Sequence, residues 1–173
     1  MLLISHIFFF SSLVILMRED YLSRMVSVKY IIAFMAAAIF IGLSSSVFSL
    51  WIYNTVVNLS VLFFLLLTIQ VYYRLRYKQN NLFIDRLLGK ADVLFFMALG
   101  FIFSPVNYLV TLSFLSLFSI LVALPVLFKK GLKHMLPLIS YMGFALLIEF
   151  ALLHTYELDY GHDTQLISFW LNG

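Results

Sequence analysis

Long apolar stretches, separated by short polar segments, make up most of this chain. A transmembrane helix needs about 20 mostly apolar residues, and six stretches approach that length: Leu2–Met17, Tyr30–Phe48, Trp51–Tyr73, Val93–Phe103, Val106–Phe128 and Met135–His154. The fourth is short and needs residues from Leu87 onward to span a bilayer. None of them alternates apolar and polar residues as a membrane strand does. The pattern therefore predicts about six helices.

Composition identifies the environment of these helices. Hydrophobic residues make up 64% and charged residues only 11% of the chain, whereas soluble domains carry about 25% charged residues. We therefore expect an all-α, polytopic membrane helical bundle in contact with the lipid bilayer. Residues 1–155 form its six-helix membrane core, and residues 156–173 form an acidic tail outside the cytoplasm.

The basic residues predict the orientation, because cytoplasmic loops of membrane proteins collect Lys and Arg. All eleven lie in the first, third and fifth loops: Arg18, Arg24, Lys29, Arg74, Arg76, Lys78, Arg86, Lys90, Lys129, Lys130 and Lys133. Six spans with the N-terminus and C-terminus outside follow. The net charge of +3 thus reports orientation, and no nucleic-acid partner is expected because no basic groove with interleaved aromatics is visible.

Metal and cofactor chemistry has no support in the sequence. The chain has no cysteine and four histidines, and the histidines lack the spacing of metal ligands. No cofactor and no metal site are predicted.

The acidic residues are few enough to be sorted by depth in the membrane. Asp20 and Asp92 each lie at the edge of an apolar stretch, in loops predicted to share one membrane side. Glu149 lies deep in the last stretch, roughly 20 Å from its cytoplasmic end at 1.5 Å per residue. That distance is too long for shared chemistry with the loops. We expect Glu149 to be a structural acid, protonated or hydrogen-bonded, near the outer interface.

Structural roles compete with a catalytic role for the two aspartates. Asp20 precedes Arg24 by four residues, which suits an ion pair along a helix. Asp92 opens a helix, where a negative charge is favourable. Asp85 shares the loop of Asp92 but lacks its setting of small residues.

Two motifs change that balance. The first is Asp20-Tyr21-Leu22-Ser23-Arg24, directly after a helix, and the second is Gly89-Lys90-Ala91-Asp92, which leads to Met97-Ala98-Leu99-Gly100. A proline-containing entry to the last helix, Leu136-Pro137-Leu138, follows, with Gly143 further on. In this order the motifs resemble the type IV prepilin peptidases and archaeal preflagellin peptidases, membrane aspartic proteases with a six-helix core. The resemblance spans roughly residues 2 to 153.

The chain departs from the family pattern at three points. Ala91 stands where the Gly-x-Gly-Asp motif has its second glycine, Leu94 stands where a lysine often follows, and Val26-Ser27 replaces the usual proline after the first aspartate. The cysteine-bearing region and methyltransferase activity of the larger bacterial enzymes are not expected. The departures bear on substrate preference and activity.

The resemblance implies a function and a set of residues. Asp20 and Asp92 would be catalytic, with Gly89, Lys90, Ala91 and Arg24 as supporting motif residues and no substrate-binding residue assigned. The substrate would be a membrane-anchored, pilin-like precursor whose basic leader is cut on the cytoplasmic side of a prokaryotic cytoplasmic membrane. Because two close carboxyls cannot both ionise cheaply, one would activate water while the other donates a proton to the scissile carbonyl.

Two other functions stay open. A catalytically silent subunit of a secretion or pilus-like assembly would use the acids only as charges at helix ends. A small transporter component would line a path with polar residues: Asn54, Asn58, Thr68, Gln70 and Glu149. Asparagine at either aspartate would abolish activity in the protease and be silent in the subunit, whereas a transporter would be sensitive at Glu149.

Overall fold

The computed structural model describes residues 2–23, 26–77, 89–130 and 137–155, and these residues form six helices and no strand. The helices are α1 Leu2–Ser23, α2 Val28–Ser45, α3 Phe48–Tyr77, α4 Lys90–Gly100, α5 Pro105–Lys130 and α6 Leu138–Thr155. Each predicted apolar stretch falls on one of them. The all-helical prediction is confirmed for the described residues, and the acidic tail 156–173 lies outside them.

Four of the described helices are long and apolar enough to cross a membrane. Their candidate spans are Val28–Ser45, Phe48–Arg76, Pro105–Pro125 and Leu138–Thr155. α1 carries Arg18, Glu19 and Asp20 in its last turns. α4 has 11 residues, and at 1.5 Å per residue it covers roughly half of a hydrocarbon core about 30 Å thick. The described helices thus support a membrane protein.

The first helix is longer than its apolar stretch. It continues past Met17 to Ser23. Asp20 therefore lies inside a helix, whereas the sequence predicted that it lies in a loop. Arginine and glutamate are good helix formers, so the charged end of α1 continues the helix at little cost. A hydrogen bond joins the end of α1 to the start of α2. The backbone N–H of Ser27, the residue before α2, donates to Glu19 Oε2 at 2.8 Å.

Close contacts give the relative directions of the helices. α1 runs antiparallel to α6: the Phe9 and Phe150 rings lie 5.7 Å apart, and an added Cβ at Gly143 would meet Met17 Cγ at 2.6 Å. α2 runs parallel to α4, since the Phe34 and Phe95 rings stack at 5.3 Å while Gly42 approaches Phe101 further on. Small residues allow such close helix contacts in membranes.

Aromatic rings fill the centre between α1, α2, α4 and α6. Phe9, Phe34 and Phe95 are all 0% exposed, and the Phe9 and Phe34 ring centroids lie 4.9 Å apart. α3 and α5 flank this core, and residues such as Phe63 and Phe64 are more than 60% exposed. An apolar outer face of this kind suits contact with lipid.

One end of the bundle, which we call the Trp51 end, is closed by the connection 101–104 between α4 and α5. Trp51 Nε1 donates to Phe101 O at 2.9 Å. The fully buried Asn58 side chain donates to Gly100 O at 3.0 Å and to Phe103 O at 2.7 Å. Both α3 side chains thus donate to backbone carbonyls at the end of α4 or in the connection that follows it, where helical partners are lacking.

Candidate functional site

The opposite end of the bundle, which we call the Asp20 end, carries the first predicted catalytic residue. Asp20 is 7% exposed. Its Oδ2 accepts hydrogen bonds from the backbone N–H of Ser140 at 2.8 Å and from the Ser140 hydroxyl at 3.1 Å. The Arg24 that was expected as a partner lies outside the described residues. The last turn of α1 is thus joined to the first turn of α6, 120 residues later.

The start of α6 explains why Ser140 is available to Asp20. Pro137 precedes the helix, and Tyr141 N donates to Pro137 O at 3.2 Å. Ser140 is in the first turn, where backbone N–H groups have no partner within the helix. The helix dipole also favours a carboxylate there. Asp20 therefore occupies the position of an N-terminal cap supplied by a different helix.

Asp92 lies in the first turn of α4. Its Oδ2 accepts the N–H of Gly89 at 3.0 Å, and an added Cβ at Gly89 would stand 3.1 Å from the same oxygen. The φ of Gly89 is −67°, which any residue adopts. The glycine therefore matters here for the space it leaves to the carboxylate, and not for an unusual backbone conformation.

Burial is the main influence on the charge of both aspartates. Burial raises the pKa of Asp92 to about 6, the Gly89 N–H opposes this, and the charge of Asp20 raises it further. Burial also raises the pKa of Asp20, while hydrogen bonds from Ser140 and the Ile139 backbone lower it. Burial is thus the main cause of both raised pKa values, and the charge of Asp20 makes the smallest contribution to that of Asp92.

The supporting motif residues differ in their placement. Lys90 is exposed at the first position of α4, whereas Ala91 is half-buried against the hydrophobic core. The small side chain at 91 thus serves helix packing in this structure. Asp85, the competing acid of the same loop, lies outside the described residues.

Glu149 occupies a separate region, which we call the Glu149 site. The Thr111 hydroxyl donates to Glu149 Oε1 at 2.6 Å, joining α5 to α6, and Oε2 has no hydrogen-bond partner in the part of the chain that the structure describes. A cavity of about 190 Å³ lies beside them, lined also by Phe103, Asn107 and Phe114. The expectation of a hydrogen-bonded acid is confirmed, and neither aspartate lines this cavity.

Three of the polar residues considered for a transport path are engaged in hydrogen bonds within the protein. Asn58 is used to hold the 101–104 connection, and Thr68 is exposed with its hydroxyl donating to Phe64 O at 2.8 Å. Glu149 is held by Thr111 between two other helices. These three side chains satisfy local or interhelical hydrogen bonds.

Ser140 is the site residue that reasoning from the sequence missed. Nothing marks it among the many serines of the chain except its place three residues after Pro137. That place predicts a free backbone N–H at a helix start but does not say which side chain accepts it.

Among the described residues, no group of three or more His, Asp or Glu side chains is arranged to hold a metal ion. Comparisons of the chain with protein-family models, with curated proteins and with solved structures found no match.

Proposed function

We propose that this protein is a membrane aspartic endopeptidase that uses Asp20 and Asp92 as its catalytic pair. The proposal is carried by two carboxyls on different helices, the buried Asp20 and the half-buried Asp92, with the pKa of Asp92 raised to about 6 mainly by burial and to a smaller extent by coupling to the charge of Asp20. Perturbed carboxyls that share a site are typical of acid–base catalysis. Structural charges at helix ends need no such coupling.

The coupling supports separate roles for the two carboxyls. Asp20 receives two hydrogen bonds from Ser140, which favour its ionised form. The charge on Asp20 in turn favours the protonated form of Asp92. We therefore assign Asp20 as the base and Asp92 as the acid, while burial raises the pKa of both carboxyls and their titration belongs to the pair as a whole.

The reaction then follows as two proton transfers around one water molecule. Asp20 takes a proton from water while the water oxygen bonds to the scissile carbonyl carbon, and Asp92 gives its proton to the carbonyl oxygen. The resulting tetrahedral diol collapses when the C–N bond breaks. The amine nitrogen takes the proton held by Asp20, and one diol hydroxyl returns a proton to Asp92, which restores both residues.

The substrate and orientation are the finer part of the proposal. We assign the Asp20 end to the cytoplasmic face of a prokaryotic cytoplasmic membrane, with six spans and both termini outside. The lysines and arginines of the odd-numbered loops support this orientation. The substrate is a membrane-anchored pilin-like precursor with a short basic leader, as the motif resemblance implies.

The proposal is tested by cleavage in membranes that contain the protein at equal abundance in each form. A panel of type IV pilin-like precursors is incubated with the native chain, Asp20→Asn and Asp92→Asn, and the products are identified by mass spectrometry. Cleavage at the leader by the native chain alone supports the pair. Cleavage that persists in both variants would refute it, and a native chain that cuts no precursor favours the silent-subunit function.

A further inference from the structure

The Ser140 hydroxyl stands between two acceptors at the Asp20 end. Its Oγ lies 2.7 Å from Met17 O and 3.1 Å from Asp20 Oδ2. A hydroxyl carries one hydrogen and two lone pairs, so it donates one full hydrogen bond at a time. The backbone N–H of the same residue, at 2.8 Å from Asp20 Oδ2, is fixed by α6 and does not change partner.

The charge on Asp20 decides which acceptor the hydroxyl prefers. An ionised carboxylate accepts a stronger hydrogen bond than a neutral carbonyl does, so ionised Asp20 attracts the hydrogen. Once Asp20 takes a proton, Met17 O becomes the better acceptor, and it is already at 2.7 Å. Both arrangements need only a rotation about the Cβ–Oγ bond, and no heavy atom has to move.

We propose that Ser140 is a positioning residue for Asp20, and that its hydroxyl hydrogen moves between Met17 O and Asp20 Oδ2 as the carboxyl gains and loses its proton. This role rests on the proposed function, in which Asp20 passes through both states in every catalytic cycle. The hydroxyl keeps a partner in each state, so the carboxyl holds its place while its charge changes.

The other charged groups described near the Asp20 end either have a different hydrogen-bond partner or are exposed to solvent. Glu19 on α1 accepts the Ser27 N–H, while Arg18 on α1, Lys29 on α2 and Lys90 on α4 are exposed. The described part of α6 near Ser140 offers Tyr141 as its titratable group. The pKa of Asp92 on α4 is raised in part by the charge of Asp20, and the test therefore removes Asp92.

Infrared titration measures the state of Asp20 without any need for activity. In purified Asp92→Asn protein, the carbonyl band of protonated Asp20 is identified by its loss on adding Asp20→Asn, and its intensity is followed against pH. Ser140→Ala is expected to move the midpoint upward by about one pH unit, since a hydrogen bond to the charged form is lost. Ser140→Thr, which keeps the hydroxyl, is expected to titrate as the parent does.

Ser12→Ala is the matched control, because Ser12 is a buried α1 serine whose hydroxyl donates to the Phe9 carbonyl at 2.8 Å. It is expected to leave the midpoint unchanged. A Ser140→Ala midpoint equal to that of the parent, or an equal shift in Ser12→Ala, would overturn the proposal.

Cleavage by the otherwise native chain gives the second readout. Ser140→Ala is expected to lower kcat about tenfold with KM unchanged and to move the acidic limb of the pH profile upward, and Ser140→Thr is expected to restore both. The two proposals fail in different ways. If Asp20→Asn still cleaves while the infrared shift is present, the protease function fails and the contact stands. If Asp20→Asn is inactive and Ser140→Ala behaves as native in both readouts, the role of Ser140 fails alone.

Discussion

The Asp20 end holds the buried Asp20 and the Glu149 site holds the half-buried Glu149, and the two acids have different partners. Asp20, in the last turn of α1, accepts the Ser140 N–H at the start of α6, and Asp92, in the first turn of α4, accepts the Gly89 N–H. Glu149 lies in the middle of α6 and has one hydroxyl partner, Thr111. The charge of Asp20 contributes to the raised pKa of Asp92, whereas the described residues that line the Glu149 cavity include no second acid.

The difference shows which kind of site can carry acid–base chemistry. Helix starts supply fixed donors that tolerate a full negative charge, so a carboxyl there keeps its place in either protonation state. A single hydroxyl between two spans serves mainly to join the helices. Under the proposed function, chemistry belongs to the Asp20 end and helix packing to the Glu149 site.

The largest expected effect is on the rate of precursor cleavage. We expect Asp20→Asn and Asp92→Asn each to lower kcat by at least about a hundredfold, the usual contribution of a general acid or base. Glu149→Gln, a matched removal of one acid, is expected to keep the rate within a few fold. Initial rates at saturating precursor test this. Loss of cleavage in Glu149→Gln, with the fold intact by circular dichroism, would contradict the comparison.

In both regions the sequence predicts local features better than contacts between distant residues. The apolar stretches locate the six helices, and the small-residue motif locates Asp92 at the start of α4, because both depend on residues close in the chain. Ser140 binds Asp20 across 120 positions, and Thr111 binds Glu149 across 38. Partners so distant follow from the packing of α1 and α5 against α6, which periodicity alone does not specify.

The end of α1 shows a further limit of reading from hydropathy. The apolar stretch ends at Met17, but the helix ends at Ser23, because hydrogen bonding along a helix does not stop where the side chains become charged. Hydropathy marks the part of a helix that suits lipid, and Asp20 lies on the part beyond it.

The second prediction concerns the close approach of α1 and α6. Gly143 is one turn from Ser140, and an added Cβ would stand 2.6 Å from Met17 Cγ and 3.3 Å from Leu13 Cδ1. We expect Gly143→Val to destabilise the protein by about 1–3 kcal/mol through overpacking, and to impair cleavage because it forces α1, with Asp20, away from Ser140. Unfolding in detergent micelles and cleavage rates measure the two effects.

Gly100→Ala is the control for that variant. Its Cβ would meet Asn58 Cβ at 3.4 Å, which is ordinary contact, so we expect a change in stability within about 0.5 kcal/mol, as for substitutions without strain. If both glycine variants lost the same stability, the special closeness of α1 and α6 beneath Asp20 would be refuted.

The third prediction is a pH dependence of stability. Burial and the charge of Asp20 raise the pKa of Asp92 from 3.8 to about 6, so the folded state binds its proton more tightly than the unfolded state does. Stability from this group is full below about pH 4 and is lost as the pH rises through about 6. After a discount for partial exposure, we expect a loss of about 1–2 kcal/mol over that range.

Asp92→Asn is expected to flatten this decline, because asparagine does not ionise. Part of the decline persists in the variant, since burial raises the pKa of Asp20 in the same direction. Thermal unfolding followed at a series of pH values compares the two proteins. Parallel curves for the native chain and Asp92→Asn would mean that Asp92 is not desolvated as described.

The smallest expected effect belongs to the Glu149 site. Thr111→Val keeps the shape of the side chain but removes the hydroxyl that reaches Glu149 Oε1 at 2.6 Å. Hydrogen bonds between helices in membranes contribute about 0.6 kcal/mol on average and up to about 1.7 kcal/mol, so we expect a loss in that range with cleavage unchanged. Ser113→Ala removes a nearby α5 hydroxyl that donates to Leu109 O on the exposed face, and is expected to be near neutral.

Measuring both α5 variants for unfolding and cleavage gives the comparison its strictest test. A Thr111→Val protein that loses stability slightly and cleaves normally places Glu149 among the groups that join helices. A protein that folds with native stability yet no longer cleaves would place the Thr111–Glu149 contact in the reaction. Chemistry would then depend on a carboxyl held by one hydroxyl inside a span, and the distinction drawn from helix-start donors would fail.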